Sequence, residues 1–383
     1  MKFCSLIAVL MPVAAFAQTF SSGSTGSDGA LNFSTPGTYV FDPKTFTPPL
    51  DPANDGIFNF TNITVASGVT VKLLGSVLNT PVVWLAQGPV KIDGTIDASG
   101  QDGFTASNTT QRTPTIPGAG GYSGGYPAIG TNPAGAGLGP GGGAFVPGGC
   151  GNGGGFTANQ FLVPLIGGSG GSGYGPYAGG AGGGALLIAS SVSISGGGSI
   201  KANGGATISA NGAGAGGAIR LVAPSVTLSG NLNVSAGSIN YGCNTNGSAS
   251  GVVRIEAFQI GAINASGNYY TATPFGLFLS PSGIPAVRVV SVGGNPVNTS
   301  PTGTFTVPDV TVNSNAPLPV AIQATNVPLG TVVTLVIFSE NGPDQTNIQS
   351  TPLAGTLASS TATASVTLPS GFSKGFVKAT FIQ

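Results

Sequence analysis

Acidic and basic side chains that could support catalysis occur together in one short stretch of this sequence. Lys91, Asp93 and Asp97 share one parity along a β-like segment. We therefore expect them on one outward face, at intervals of about 7 Å where the strand is unbroken. Glycosidases use two carboxylates at such a distance, and polysaccharide lyases combine acids with a basic residue. We expect a solvated outer face, and a catalytic role for these three residues, the candidate catalytic group, is the alternative.

The same stretch contains the best candidate for a metal site. Asp97 and Asp102 flank a short loop, and carboxylate oxygens are the ligands that calcium prefers. We expect no cofactor and no metal, with calcium at these two aspartates as the alternative.

Other catalytic chemistry is limited by what the chain lacks. It contains no histidine, which excludes Ser-His and Cys-His nucleophiles and histidine-ligated zinc. No Asp or Glu occurs between Asp102 and Glu256. We therefore predict a noncatalytic protein, and a polysaccharide-binding or polysaccharide-degrading protein is the alternative.

The overall composition limits the partners. Of 383 residues, only 11 are Lys or Arg and 11 are Asp or Glu. Nucleic acid and anionic membrane surfaces are bound by clustered basic residues, so neither is expected as a partner. A carbohydrate, a surface protein or a second copy of the chain is the predicted kind of partner, the last through strand edges that are left unpaired.

Aromatic and basic side chains supply the remaining candidates for binding. Exposed tyrosines can stack on sugar rings or anchor a protein partner, and packing within the molecule is the alternative. Arg220 and Arg254 occupy equivalent positions of two repeats, so we expect them to stack on an outward face with solvent or Glu256 nearby, and a bound anion is the alternative. The candidate binding tyrosines are Tyr122, Tyr126, Tyr174 and Tyr177.

The N-terminus predicts export. Residues 1–17 have the form of a signal peptide, with Lys2, a short apolar run and a small-residue cleavage pattern, so we expect the mature chain to begin at Gln18. No later apolar run is long enough for a membrane span. The expected location is secreted, extracellular or at the cell surface, where Cys150 and Cys243 would form a disulfide, with two unpaired thiols as the alternative.

Internal repeats predict the elements that position these residues. Segments of alternating apolar and polar residues begin at Ala185, Ala218 and Val252, which are 33 and 34 residues apart, and related copies occur upstream. Such units bury their apolar faces only by stacking. We predict an all-β protein whose main unit is a parallel β-helix, with a β-sandwich as the alternative. The predicted core stack is Ile92, Ile194, Leu228 and Ile260.

Two changes of composition divide the chain. Residues 103–184 contain 30 glycines among 82 residues, and they form either a flexible excursion or extended segments packed backbone to backbone. From residue 284 onward, alternating strands separated by turns predict an immunoglobulin-like β-sandwich. The predicted divisions are 18–102 (cap and first coils), 103–184 (glycine-rich insertion), 185–283 (further coils) and 284–383 (sandwich).

The coils, with a glycine between consecutive strands, resemble the secreted, glycine-rich right-handed β-helix proteins of bacteria, many of which are adhesin-like. The resemblance implies export and surface attachment, and it transfers no catalytic residue. Because the same fold also carries polysaccharide-cleaving enzymes, fold does not decide function. The expected function is that of an exported structural or adhesive protein.

Overall fold

The computed structural model describes residues 19–51, 56–106, 112–240, 247–274, 285–298, 301 and 308–381. The described chain is all-β apart from one short 3₁₀ helix, Pro43–Thr45. No helix among these residues has the length and apolar character needed to cross a membrane.

Fourteen strands form one large sheet in which every strand pairing is parallel. In most of these strands every second side chain lies inside, as the alternation of apolar and polar residues predicts. Residues 185–190 and 218–223 are instead buried at every position. The strands are β1 (Ala30–Phe33), β2 (Gly37–Val40), β3 (Ile57–Phe60), β4 (Asn62–Val65), β5 (Val69–Lys72), β6 (Val82–Ala86), β7 (Val90–Ile92), β8 (Thr95–Asp97), β9 (Ala185–Ser190), β10 (Ser193–Gly196), β11 (Ser199–Lys201), β12 (Ala218–Asn233), β13 (Val252–Ser266) and β14 (Asn268–Ala272).

The pairings form three ladders. The first contains β1, β4, β7, β10 and the middle of β12 and β13, and the second contains β2, β5, β8, β11 and the ends of β12 and β13. The third contains β3, β6, β9, the beginnings of β12 and β13, and β14. Ala185 pairs with Ala218 and Ala218 with Val252, which confirms the repeat read from the sequence.

The predicted core stack was wrong in register. Ile194 pairs with Val90 and with Val226, so its column does not contain Ile92. Leu228 pairs with Gly196. A slip of two residues keeps each side chain on the same face, so the alternation of apolar residues does not reveal it.

The glycine-rich stretch is packed by its backbone. Hydrogen bonds run from Gly182 N to Tyr122 O, from Gly205 N to Ala181 O and from Gly214 N to Gly205 O, with distances of 2.8 Å. We call the segments joined in this way the glycine bundle; it comprises residues 112–184, 202–217, 234–237 and 249–251.

The glycine bundle depends on missing side chains. A Cβ atom on Gly182 would overlap the carbonyl oxygen of Gly168, and one on Gly217 would overlap that of Gly184. Neighbouring backbones therefore come too close for any other residue. Of the two interpretations of the insertion, the described residues agree with packed segments.

The C-terminal part contains two antiparallel sheets. The strand order is 295–296, 286–292, 318–325, 359–366 and 354–356 in one sheet, and 345–352, 332–339 and 373–379 in the other. They share one apolar cluster that includes Ile322 and Leu335. Alternation of apolar and polar residues predicts a strand at 303–307, which lies outside the described residues, and it does not predict the polar strand β19 (Gln345–Pro352). The strands are β15 (Ala286–Val292), β16 (Asn295–Pro296), β17 (Leu318–Thr325), β18 (Val332–Ser339), β19 (Gln345–Pro352), β20 (Ala354–Thr356), β21 (Ser359–Val366) and β22 (Ser373–Ala379).

Candidate functional site

The structure separates the three residues of the candidate catalytic group. Lys91 lies on β7 in the first ladder, Asp97 lies on β8 in the second, and Asp93 lies between the two strands. All three face outward, as predicted, because Val90, Ile92 and Ile96 fill the interior. The turn between the two strands is therefore what divides the group.

Asp97 bonds to a neighbouring strand. Its Oδ2 accepts a hydrogen bond from Lys72 Nζ of β5 at 2.5 Å, and its Oδ1 accepts one from Ser99 N at 3.0 Å. Burial raises the pKa of Asp97, but the hydrogen bonds from Lys72 and Ser99 outweigh it, so the pKa lies below its usual value. The carboxylate is held in its charged form as a link between successive strands.

Asp93 and Asp102 link segments of the chain in the same manner. Asp93 Oδ1 accepts a hydrogen bond from Gly197 N at 3.2 Å, and its other oxygen lies 3.3 Å from Lys91 Nζ. Asp102 Oδ1 accepts a hydrogen bond from Ala206 N at 2.7 Å. Asp93 and Asp102 therefore each accept a hydrogen bond from the backbone N–H that lies 104 residues later in the chain.

Neutral side chains continue this series. Ser99 Oγ accepts a hydrogen bond from Asn203 N, and Asn203 Oδ1 accepts one from Ser235 N, at 3.2 and 3.1 Å. These polar side chains thus connect three successive repeats of the chain. Among the residues that the structure describes, no three His, Cys, Asp or Glu side chains come together to hold a metal ion.

The two arginines stack beside Glu256 as predicted, but Arg220 is only 3% exposed and Arg254 is half-buried, which corrects the expectation of an outward face. Glu256 lies between them: its Oε1 accepts hydrogen bonds from Arg220 Nε at 3.0 Å and from Arg254 Nε at 2.7 Å. Arg254 also donates to Gln160 O at 3.3 Å, and its guanidinium lies 5.3 Å from the ring centre of Phe161. A loop of the glycine bundle covers this face, and the sequence did not indicate that cover.

Tyr126, one of the four candidate binding tyrosines, is only 1% exposed. Its ring stacks on Phe338 of β18 with 4.6 Å between centres, and the Arg112 guanidinium lies 5.4 Å from the ring centre. Burial raises the pKa of Tyr126. For this tyrosine the structure favours packing within the molecule over contact with a partner.

The other three tyrosines are half-buried. Tyr174 and Tyr177 form a reverse turn in which each backbone N–H donates to the other's carbonyl at 2.9 Å. Tyr122 lies apart from them and lines a cavity. Burial raises the pKa of the Tyr122 hydroxyl.

A buried arginine that sequence reasoning missed joins the glycine bundle to the antiparallel sheets. Arg112 is 1% exposed and donates to Pro127 O at 3.1 Å, to Pro133 O at 2.9 Å and to Asp344 Oδ1 at 2.6 Å. Asn132 adds a bond to Gly342 O across the same junction. The available signal was one arginine in a long uncharged stretch, which has to find a distant partner if it is buried.

A cavity of about 1120 Å³ lies at this junction, between the glycine bundle and the antiparallel sheets. Val289, Leu335 and Ile337 supply apolar walls, and Lys374 supplies an amine. Burial lowers the pKa of Lys374 to about 8, and the opposite charge of Asp309 limits that decrease. Such walls suit an apolar molecule better than a sugar, because sugar hydroxyls need many polar partners.

These features define an all-β protein in which a parallel sheet, a glycine bundle and two antiparallel sheets are joined by buried charged groups. A scan against protein-family models, a search of curated proteins and a search of solved structures each gave no match. The chemistry of the described residues is therefore the basis for a functional interpretation.

Cys150 is among the described residues, and its predicted partner Cys243 lies outside them. The signal peptide at 1–17 and the cleavage site before Gln18 also lie outside the described residues. The disulfide and the leader remain predictions.

Proposed function

We propose that the protein is an exported, noncatalytic structural or adhesive protein of the extracellular space or the cell surface. The observation that supports this most strongly is how its charged side chains are used. Lys72 with Asp97, Arg112 with Asp344, and the arginines around Glu256 each bond one strand or segment to another. Groups engaged in this way strengthen the fold and are poorly placed to transfer protons to a substrate.

The three ladders would then be the faces of a parallel β-helix. In support, the chain passes three times from a third-ladder strand to a first-ladder and then a second-ladder strand: β3-β4-β5, β6-β7-β8 and β9-β10-β11. The apolar cluster shared by the two antiparallel sheets supports an immunoglobulin-like sandwich in the same way. Together they agree with the resemblance to secreted bacterial β-helix proteins.

Export is tested by expressing the full chain in a bacterial host and fractionating the cells. The proposal predicts an exported product whose N-terminus is Gln18, and a peptide linking Cys150 to Cys243 that mass spectrometry detects only without reductant. A product that stays in the cytosol with Met1 or Lys2 at its N-terminus would contradict export.

The noncatalytic part is tested by a depolymerisation screen on plant and bacterial polysaccharides. The proposal predicts no release of new chain ends by the wild-type protein. Cleavage that disappears in both Asp93→Ala and Asp97→Ala, with both variants folded, would make the protein a polysaccharide-degrading enzyme.

Polysaccharide binding is the second candidate, and the turn formed by Tyr174 and Tyr177 favours it. Both rings are half-buried, so each is held by the protein and keeps part of its surface in solvent. If this turn binds sugar, the double variant Tyr174→Ala, Tyr177→Ala loses retention on insoluble polysaccharide. The matched control is Tyr39→Ala, because Tyr39 of β2 is also half-buried and lies away from this turn. Equal loss of retention in both variants would exclude the turn as the sugar-binding site.

A further inference from the structure

The two ends of the parallel sheet differ in how they are covered. At the N-terminal end, Phe41 packs with Phe46 and Phe58, and Leu50 belongs to the same buried cluster. At the other end the core column that contains Ile194 and Val226, both fully buried, finishes in Ile260, which is 39% exposed. One end of the core is therefore closed by aromatic residues, and the other is open.

The backbone at this end is open as well. Residues 259–266 of β13 pair with β12 along one edge. In the described ranges, no strand pairs with their other edge. An edge of this kind offers free N–H and C=O groups to another strand. We call residues 258–272, which comprise this part of β13 and strand β14, the open end.

The open end lacks the features that normally keep edge strands apart. Residues 258–272 contain neither a charged residue nor a proline. Three of their large apolar or aromatic side chains are exposed, those of Ile260, Tyr269 and Tyr270, with exposures of 39%, 40% and 38%. An uncharged surface can meet a copy of itself without repulsion between like charges.

We propose that two copies of this chain associate through their open ends in a two-fold symmetric dimer. Each copy covers the exposed apolar groups of the other and supplies strand partners for the unpaired edge. A two-fold contact uses the same surface on both copies, which suits a surface with no charge. Because both open ends are covered in this contact, growth stops at two copies, and the cap formed by Phe41, Phe46 and Leu50 takes no part.

Sedimentation of the full chain over about a hundredfold range of protein concentration tests the proposal. We expect a shift from one chain mass to twice that mass, and at least about a tenfold increase in the dissociation constant for Ile260→Lys. The matched control is Val40→Lys, because Val40 is 46% exposed on β2 at the closed end; this variant should dimerise like the wild type.

Hydrogen exchange provides a readout that needs no variant. Peptides covering residues 258–266 should exchange more slowly as concentration rises, whereas peptides covering β1 and β2 should not change. A wild-type chain that stays monomeric throughout, as when residues 275–284 of the same chain cover the open end, overturns the proposal. Equal weakening by Ile260→Lys and Val40→Lys, or growth beyond two copies, also overturns it.

Discussion

The parallel ladders and the glycine bundle are both held by lateral backbone hydrogen bonds, yet their interiors are opposites. In the ladders, the side chains of Val90, Ile194 and Val226 stack on one another and fill the interior. In the bundle, carbonyl oxygens occupy the space where a Cβ would lie, as Gly168 does beside Gly182. One region is stabilised by side chains that are present, and the other is possible only because side chains are missing.

This difference predicts opposite responses to mutation. Sheets keep neighbouring faces about 10 Å apart because side chains lie between them. Segments without side chains approach one another from several directions, and each can bond to more than two neighbours. Shortening a buried side chain should destabilise the ladders, and adding a side chain should destabilise the glycine bundle.

The largest expected effect is that of Gly182→Ala. The added methyl group overlaps the Gly168 carbonyl, and backbone cannot move away as a flexible side chain can, so we expect a loss of about 4 kcal/mol or more in unfolding free energy. Gly247→Ala is the control, since the atom nearest to its added methyl group would be Ile239 Cδ1, at 4.0 Å. Denaturant unfolding that gives equal stability for both variants would contradict close backbone packing.

The reverse change in the ladders is Ile194→Ala. This side chain is fully buried, so its truncation leaves a cavity, and we expect a loss of about 3 kcal/mol by the same measurement. Val192→Ala is the neighbouring control, because Val192 is 50% exposed and should change stability by less than about 0.5 kcal/mol. Similar effects at both positions would mean that the ladders lack a side-chain core.

The junction between the glycine bundle and the antiparallel sheets gives a smaller effect. Arg112→Met leaves Asp344 without its guanidinium partner, and we expect a loss of about 2 kcal/mol because that carboxylate keeps slight solvent contact. The control is Arg288→Met, because Arg288 forms an exposed hydrogen bond with Gln323. If Arg112→Met is as stable as the control, the buried arginine does not hold the junction together.

The smallest effect concerns Asp97 and depends on pH. Because the pKa of Asp97 is lowered in the folded state, its contribution is complete above the ordinary value of 3.8 and is lost as pH falls through the folded value. The Asp97→Asn substitution should therefore lower the unfolding free energy by about 1 kcal/mol at neutral pH and by little in strong acid. The Asp93→Asn substitution alters a more exposed carboxylate, so it should change the unfolding free energy less at both pH values. A loss for Asp97→Asn that does not vary with pH would contradict this account.

Local patterns predicted the ladders well because each strand carries its own alternation of apolar and polar residues. The spacing of Ala185, Ala218 and Val252 appears directly as strand register. The same patterns misplaced Ile92 in the core stack, since a slip of two residues changes neither face nor composition. Periodicity therefore identifies which side chains are inside, and only the fold identifies their neighbours.

The glycine bundle and the junction were harder to predict for a physical reason. Glycine has no side chain, so its sequence carries no alternation from which a partner could be read. The contacts of Arg112 with Asp344 and of Arg254 with Gln160 join residues far apart in the chain. Composition indicated that charge is scarce, but it did not indicate that much of that charge is buried between segments.

The claim that the glycine bundle is a folded element is tested most directly by amide hydrogen exchange of the full chain. Residues 167–184 and 202–217 bond laterally to several segments, so their amides should be protected to a degree similar to those of β12. Fast exchange of these glycine-rich peptides, alongside slow exchange of β12, would contradict the account and make the stretch a flexible excursion.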